Sequence, residues 1–144
     1  MFKHLFIACL AVAGLAGARP AAAQTYLVIV NEANPAQTIS RDDLSQMFLK
    51  RATRWDSGDP VVPVDLVESS PVRESFSQAV LGRPVSAIVA FWQREIFSGH
   101  GVPPVQKSSE NEVIDYVRAN PNAVGYVRNG SPLGSGVRAL RILN

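Results

Sequence analysis

The sequence predicts an α/β domain: a mostly parallel or mixed sheet of about four to five strands with helices on both faces. Three observations carry this. Short continuous apolar runs at Tyr26–Val30, Val61–Val67 and Ala123–Val127 read as buried strands. Between them lie segments with apolar residues at helical spacing, several opened by a recognisable capping signal. The stretches that join them are rich in turn residues, with no repeat, low-complexity tract or internal linker.

Residues 1–23 read as a secretory signal peptide. Lys3 supplies the basic start, Leu5 to Leu15 the apolar run, and Ala21-Ala22-Ala23 a small-residue cleavage site, so cleavage is expected before Gln24. The apolar run is too short to span a bilayer, and no second span follows, so no stable membrane insertion is expected. The expected destination is the periplasm, with residues 24–144 as one domain.

The mature chain opens with the strand Tyr26–Val30, broken by the loop Asn31–Pro35. Ser40, with Asp43 three residues on, starts a helix whose inward stripe is Leu44, Met47 and Phe48. Trp55 to Pro60 is turn chemistry before the strand Val61–Val67. A helix from Pro71 to Leu81 puts Val72, Phe76, Ala79 and Val80 on one face, and Gly82 stops it. Pro84 to Phe97 forms another, with Val85, Ile88, Val89, Trp92 and Ile96 inward. Pro103 to Lys107 is extended. Ser109 and Glu112 cap a helix carrying Val113, Ile114 and Val117, which Asn120-Pro121 closes. A strand Ala123–Val127, a loop Asn129–Gly136 and a last strand Val137–Leu143 complete the order.

Charge and inventory exclude several functions. The whole chain has 14 Lys and Arg against 12 Asp and Glu, but Lys3 and Arg19 leave with the signal peptide. A mature net charge of zero offers no field for a polyanion, so nucleic acid is not an expected partner. Cys9 and His4 also leave, so neither a disulfide nor a structural zinc site is expected. The acids are spread singly, with no spacing for a metal cage or carboxylate dyad. His100 stands between two glycines with no nucleophile-elbow serine, and reads as a loop histidine rather than a catalytic base. No catalytic residue, metal or cofactor is expected. The loop Gly130–Gly136 lacks a phosphate-binding lysine and precedes a strand, which marks it as a connection.

One stretch holds the candidate site. Ser70 suits an N-cap and Pro71 the first helical position, which leaves unpaired N–H groups where an anion can sit. Arg73 lies in that first turn, where the helix dipole does not favour a cation. It reads either as part of an anion site with Ser69 and Ser70, or as a partner of Asp65 or Glu68. Trp55, which follows Lys50, Arg51 and Arg54, reads as a ligand-stacking ring or as core.

A set of ordered motifs spans nearly the whole mature chain. It runs through Ile39-Ser40-x-x-x-Leu44-x-x-Met47-Phe48-Leu49, Trp55, Pro63-Val64-Asp65 and Ser70-x-x-Arg73-Glu74-x-Phe76. It continues through Phe91-Trp92 and Phe97-Ser98-Gly99 to Val124-Gly125-Tyr126-Val127. Together these resemble phosphate-binding-protein-like members of the type 2 periplasmic solute-binding superfamily, which serve ABC transporters. The resemblance implies one lobe of such a protein, since the chain is about half the expected length. It also implies phosphate or a similar oxyanion as ligand, with Ser69, Ser70 and Arg73 as the lobe's share of the site. An ABC transporter permease or another periplasmic protein would be the partner. Two positions depart from the family pattern. Asn31-Glu32-Ala33-Asn34-Pro35 replaces a glycine- and serine-rich loop and brings an acid, and Ser69-Ser70-Pro71 replaces Ser-Gly-Thr. The expectation is therefore an exported, non-enzymatic solute-binding-type protein. The alternative is a periplasmic interaction module that keeps the fold without the ligand.

Overall fold

The computed structural model describes residues 24–144; the expected signal peptide lies outside the described residues. In chain order the elements are β1 (Tyr26–Asn31), β2 (Thr38–Ser40), α1 (Arg41–Phe48), β3 (Val62–Leu66) and α2 (Pro71–Phe76). There follow α3 (Val85–Phe97), β4 (Val105–Lys107), α4 (Glu110–Ala119), β5 (Ala123–Arg128), β6 (Val137–Ala139) and β7 (Arg141–Leu143). Five strands form one sheet in the order β4-β3-β5-β1-β6, while β2 and β7 pair separately in parallel. Strands β3, β4 and β5 run parallel, and β1 is antiparallel to both β5 and β6. Four of the five strands therefore point one way, with β1 reversed among them.

The strand pleat sets the two faces. Successive residues point to opposite sides. A Cβ on Gly125 would lie 2.8 Å from Val113 and Val64, so that side packs against α4. The next residue, Tyr126, stacks on Phe76 of α2 with ring centroids 3.9 Å apart and lies against Phe48 of α1. Helices thus cover both faces of the sheet.

The capping signals form as the sequence reads. Ser40 Oγ accepts from Asp43 N–H at 3.0 Å, Ser70 Oγ from Arg73 N–H at 3.3 Å, and Ser109 Oγ from Glu112 N–H at 3.2 Å. Each satisfies a donor that the helix cannot satisfy itself.

Tertiary context changes four details. The helix expected over 71–81 is α-helical only to Phe76; Ser77–Leu81 widens into a π-turn, which Gly82 ends at φ 67°. The Ser77 hydroxyl donates to Arg83 O at 2.6 Å, which ties that segment to the loop after it. The last strand divides at buried Leu140, whose N–H donates to Val28 O at 2.9 Å; β6 stays in the large sheet and β7 leaves to pair with β2. Ile96, expected inward, is 53% exposed, because the last turn of α3 overhangs the core. Strand β2 is too short to leave a pattern in the sequence.

Candidate functional site

Strand β3 ends in Asp65 and Leu66, both buried. The chain then turns through Val67–Ser70, closed by Ser70 N–H donating to Val67 O at 3.0 Å, and enters α2. This turn returns Arg73 over the end of its own strand. The side chain is 4% exposed. Its Nη1 donates to Leu66 O at 2.9 Å and its Nε lies 3.5 Å from Asp65 Oδ1. Asp65 Oδ1 also accepts from Leu66 N–H at 3.1 Å and from the Tyr126 hydroxyl.

Asp65, Arg73 and Tyr126 therefore form a closed network between the sheet and α2. Burial raises the pKa of Asp65, and the Arg73 charge and the bonds from Tyr126 and Leu66 only partly offset this. Burial, followed by the Asp65 charge and bond, pushes the Tyr126 hydroxyl far up, so Tyr126 remains a donor. An acid inside an apolar run was the sequence signal for this network, because buried carboxylates need partners.

The candidate residues do not all meet. Ser70 caps α2, Arg73 is tied to Asp65 and Leu66, and Ser69 is exposed beside them. Trp55 is 6% exposed, and its Nε1 donates to Asn122 O at 3.0 Å. Asn122 immediately precedes β5, and Val62 pairs with Ala123, so Trp55 anchors the opposite end of β3 from Ser70. At about 3.3 Å per residue, that strand separates them by about 13 Å. Trp55 is a core residue here. Its flank borders an open groove of about 780 Å³ between the Asn34–Ser40 loop, Met47 and the Ala52–Ser57 loop.

Glu32 also lies at the Trp55 end, because β1 runs antiparallel to β5 and finishes beside its start. The acid is thus at the opposite end of the sheet from Ser69 and Ser70. Asn31, just before it, donates from Nδ2 to Val117 O and Arg118 O, both at 3.0 Å, and so caps the end of α4.

His100 is exposed, with Nδ1 2.9 Å from Ser98 Oγ. Ser98 Oγ donates to Arg94 O at 2.7 Å, so its proton is committed to a helix carbonyl and no activated serine results. Among the described residues no three His, Cys, Asp or Glu side chains gather as metal ligands. Within the same residues no helix is long and apolar enough to cross a membrane.

Comparison with known proteins places the fold. No family model matches the chain, and no curated protein does. Solved structures do. An ABC-type phosphate transport receptor from Vibrio cholerae superposes with TM-score 0.65 at 23% identity, over 82% of this chain and 46% of its own. A phosphate ABC transporter substrate-binding protein from Clostridium perfringens, solved with bound phosphate, gives TM-score 0.66 at 18% identity, over 82% and 44%. PstS from Borrelia burgdorferi gives 0.63 at 16% identity, over 82% and 47%. The chain spans less than half the length of each. Its fold is the phosphate-binding-protein-like fold, over one part of those proteins.

Proposed function

We propose that this chain is an exported, non-enzymatic solute-binding-type lobe that acts in the periplasm by contact with another protein. The observation that carries this reading is the commitment of Arg73. A tight oxyanion site needs several convergent donors, and a guanidinium free to pair with the anion strengthens it most. Here the guanidinium is buried against Asp65 and Leu66, the Ser70 hydroxyl accepts from the Arg73 N–H, and Pro71 has no N–H to offer. Freeing Arg73 for a ligand would leave the Asp65 carboxylate buried without its cation, which is strongly unfavourable. The partner class this suits is an ABC transporter permease or another periplasmic protein.

A second reading keeps a weak, open phosphate or oxyanion site at Ser69 and Ser70. Its support is the fold shared with phosphate receptors, one of them solved with phosphate bound. Such a site would hold its ligand partly solvated, with affinity on the order of millimolar, about −4 kcal/mol. Calorimetric titration of residues 24–144 with phosphate and then sulfate separates the two. No saturable heat up to high millimolar concentration is expected. Saturable heat that disappears in Ser70→Ala would replace the first reading with the second.

A further inference from the structure

We infer that the C-terminal end of α3, with the adjoining end of α1, is a docking face for an anionic lipid surface. Four large apolar side chains stand exposed between the last turn of α3 and β4: Ile96, Phe97, Val102 and Val105. Phe97 is 97% exposed, so it contributes no packing to the fold. Phe91, Arg94 and Phe97 follow one another three residues apart, which lines them along one side of the helix. The Arg51 guanidinium lies 5.8 Å from the centre of the Phe91 ring and joins the end of α1 to this line. Beside it, exposed Lys50 holds a left-handed backbone, φ 56°, a conformation that favours glycine. The backbone strain places a cation where a glycine would serve the turn better.

Charge selects the occupant. The mature chain is neutral overall, yet this face presents Lys50, Arg51 and Arg94, all exposed. The only acid on α3, half-buried Glu95, sits four residues after Phe91 and so borders this line on the Phe91 side, which leaves three exposed cations against one half-buried acid. A second copy docked symmetrically would bring the cations toward their own equivalents, which opposes association. A bilayer surface with anionic headgroups suits both features: the apolar side chains enter the headgroup boundary while the cations meet phosphate. Pro103 and Pro104 stiffen the loop that carries Val102. This docking is peripheral and reversible, and it does not depend on whether Ser69 and Ser70 bind an anion.

The test is co-sedimentation of residues 24–144, which contain every described element, with phosphatidylcholine vesicles made with and without phosphatidylglycerol. Leaving out residues 1–23 removes the apolar run that would bind vesicles on its own. Binding is expected only to the anionic vesicles, weakening as salt rises. Phe97→Ser is expected to weaken it about tenfold, by the apolar area withheld from the headgroup boundary. Arg94→Gln is expected to weaken it about fivefold. Near-ultraviolet circular dichroism checks that each variant keeps native packing. Absence of sedimentation, equal binding to both vesicle types, or variants that bind like the wild type would each overturn the assignment. So would concentration-dependent self-association that Phe97→Ser abolishes without any vesicle binding, which would give the face to a second copy.

Discussion

At the scale of single residues, the fold turns on Asp65, an acid set within the apolar strand β3. Its partners come from different parts of the chain: Arg73 from the first turns of α2, and Tyr126 from the neighbouring strand β5. Removing one member should cost much more than a surface substitution. Arg73→Met is expected to destabilise the protein by about 3–5 kcal/mol, because Asp65 is left buried without its cation. Urea denaturation measures this, and a loss below about 1 kcal/mol would show that the network is solvated. Burial raises the Asp65 pKa in the folded chain above its ordinary value of 3.8. The sign follows from proton binding. Over the interval above 3.8 the folded state holds its proton more firmly than the unfolded state, so stability declines as pH rises through it. Measured against Asp65→Asn, the wild-type denaturation midpoint should therefore fall as pH is raised from below 3.8. A rise over the same range would mean that Arg73 outweighs burial.

At the scale of elements, the caps were legible because each rests on two or three residues close in sequence. Ser40, Ser70 and Ser109 all cap as their spacing implies. Helix α1 ends less regularly. Arg51 N–H donates to Gln46 O at 2.9 Å and Lys50 N–H to Met47 O at 3.1 Å, which is the paired closure of a Schellman turn, with lysine at the left-handed position. Lys50→Gly is expected to stabilise the fold by up to about 1 kcal/mol in urea denaturation. An unchanged or lower midpoint would mean that the lysine side chain compensates for its backbone. The packing of α4 on the sheet gives the opposite expectation. A Cβ at Gly125 would lie 2.8 Å from both Val113 and Val64, so Gly125→Ala should cost about 1–3 kcal/mol by overpacking. The Gly-Tyr pair in β5 thus faces two layers: the glycine admits α4, and the tyrosine joins the aromatic cluster beneath α1 and α2.

At the scale of the whole molecule, the neighbouring structures are more than twice as long as the part that this chain matches. Within the chain, the serine turn and the Trp55 groove occupy opposite ends of β3, so they do not converge on one ligand. This arrangement supports silence in the phosphate titration. The exposed end of α3 supports a different expectation: Phe97→Ser should leave the urea midpoint within about 0.5 kcal/mol of wild type while weakening vesicle binding. A large loss of stability in that variant would show that Phe97 packs against the domain, and the docking face would need another anchor.

Apart from the three-residue β2, the order of strands and helices, their caps and the two-sided sheet follow from apolar periodicity and turn chemistry, which act over a few residues, so they could be read from the sequence. The candidate site could not be resolved in that way. Sequence left Arg73 open between an anion and an acid, and Trp55 open between a ligand and the core. Both alternatives fit the same local pattern, and the choice depends on which groups distant strands bring within a few ångströms. The register of β3 with β5 carries Tyr126 to Asp65 and Asn122 to Trp55. Tertiary structure also split the last strand at Leu140 and left the end of α3 uncovered, because burial depends on which neighbour arrives and helical spacing does not specify that neighbour.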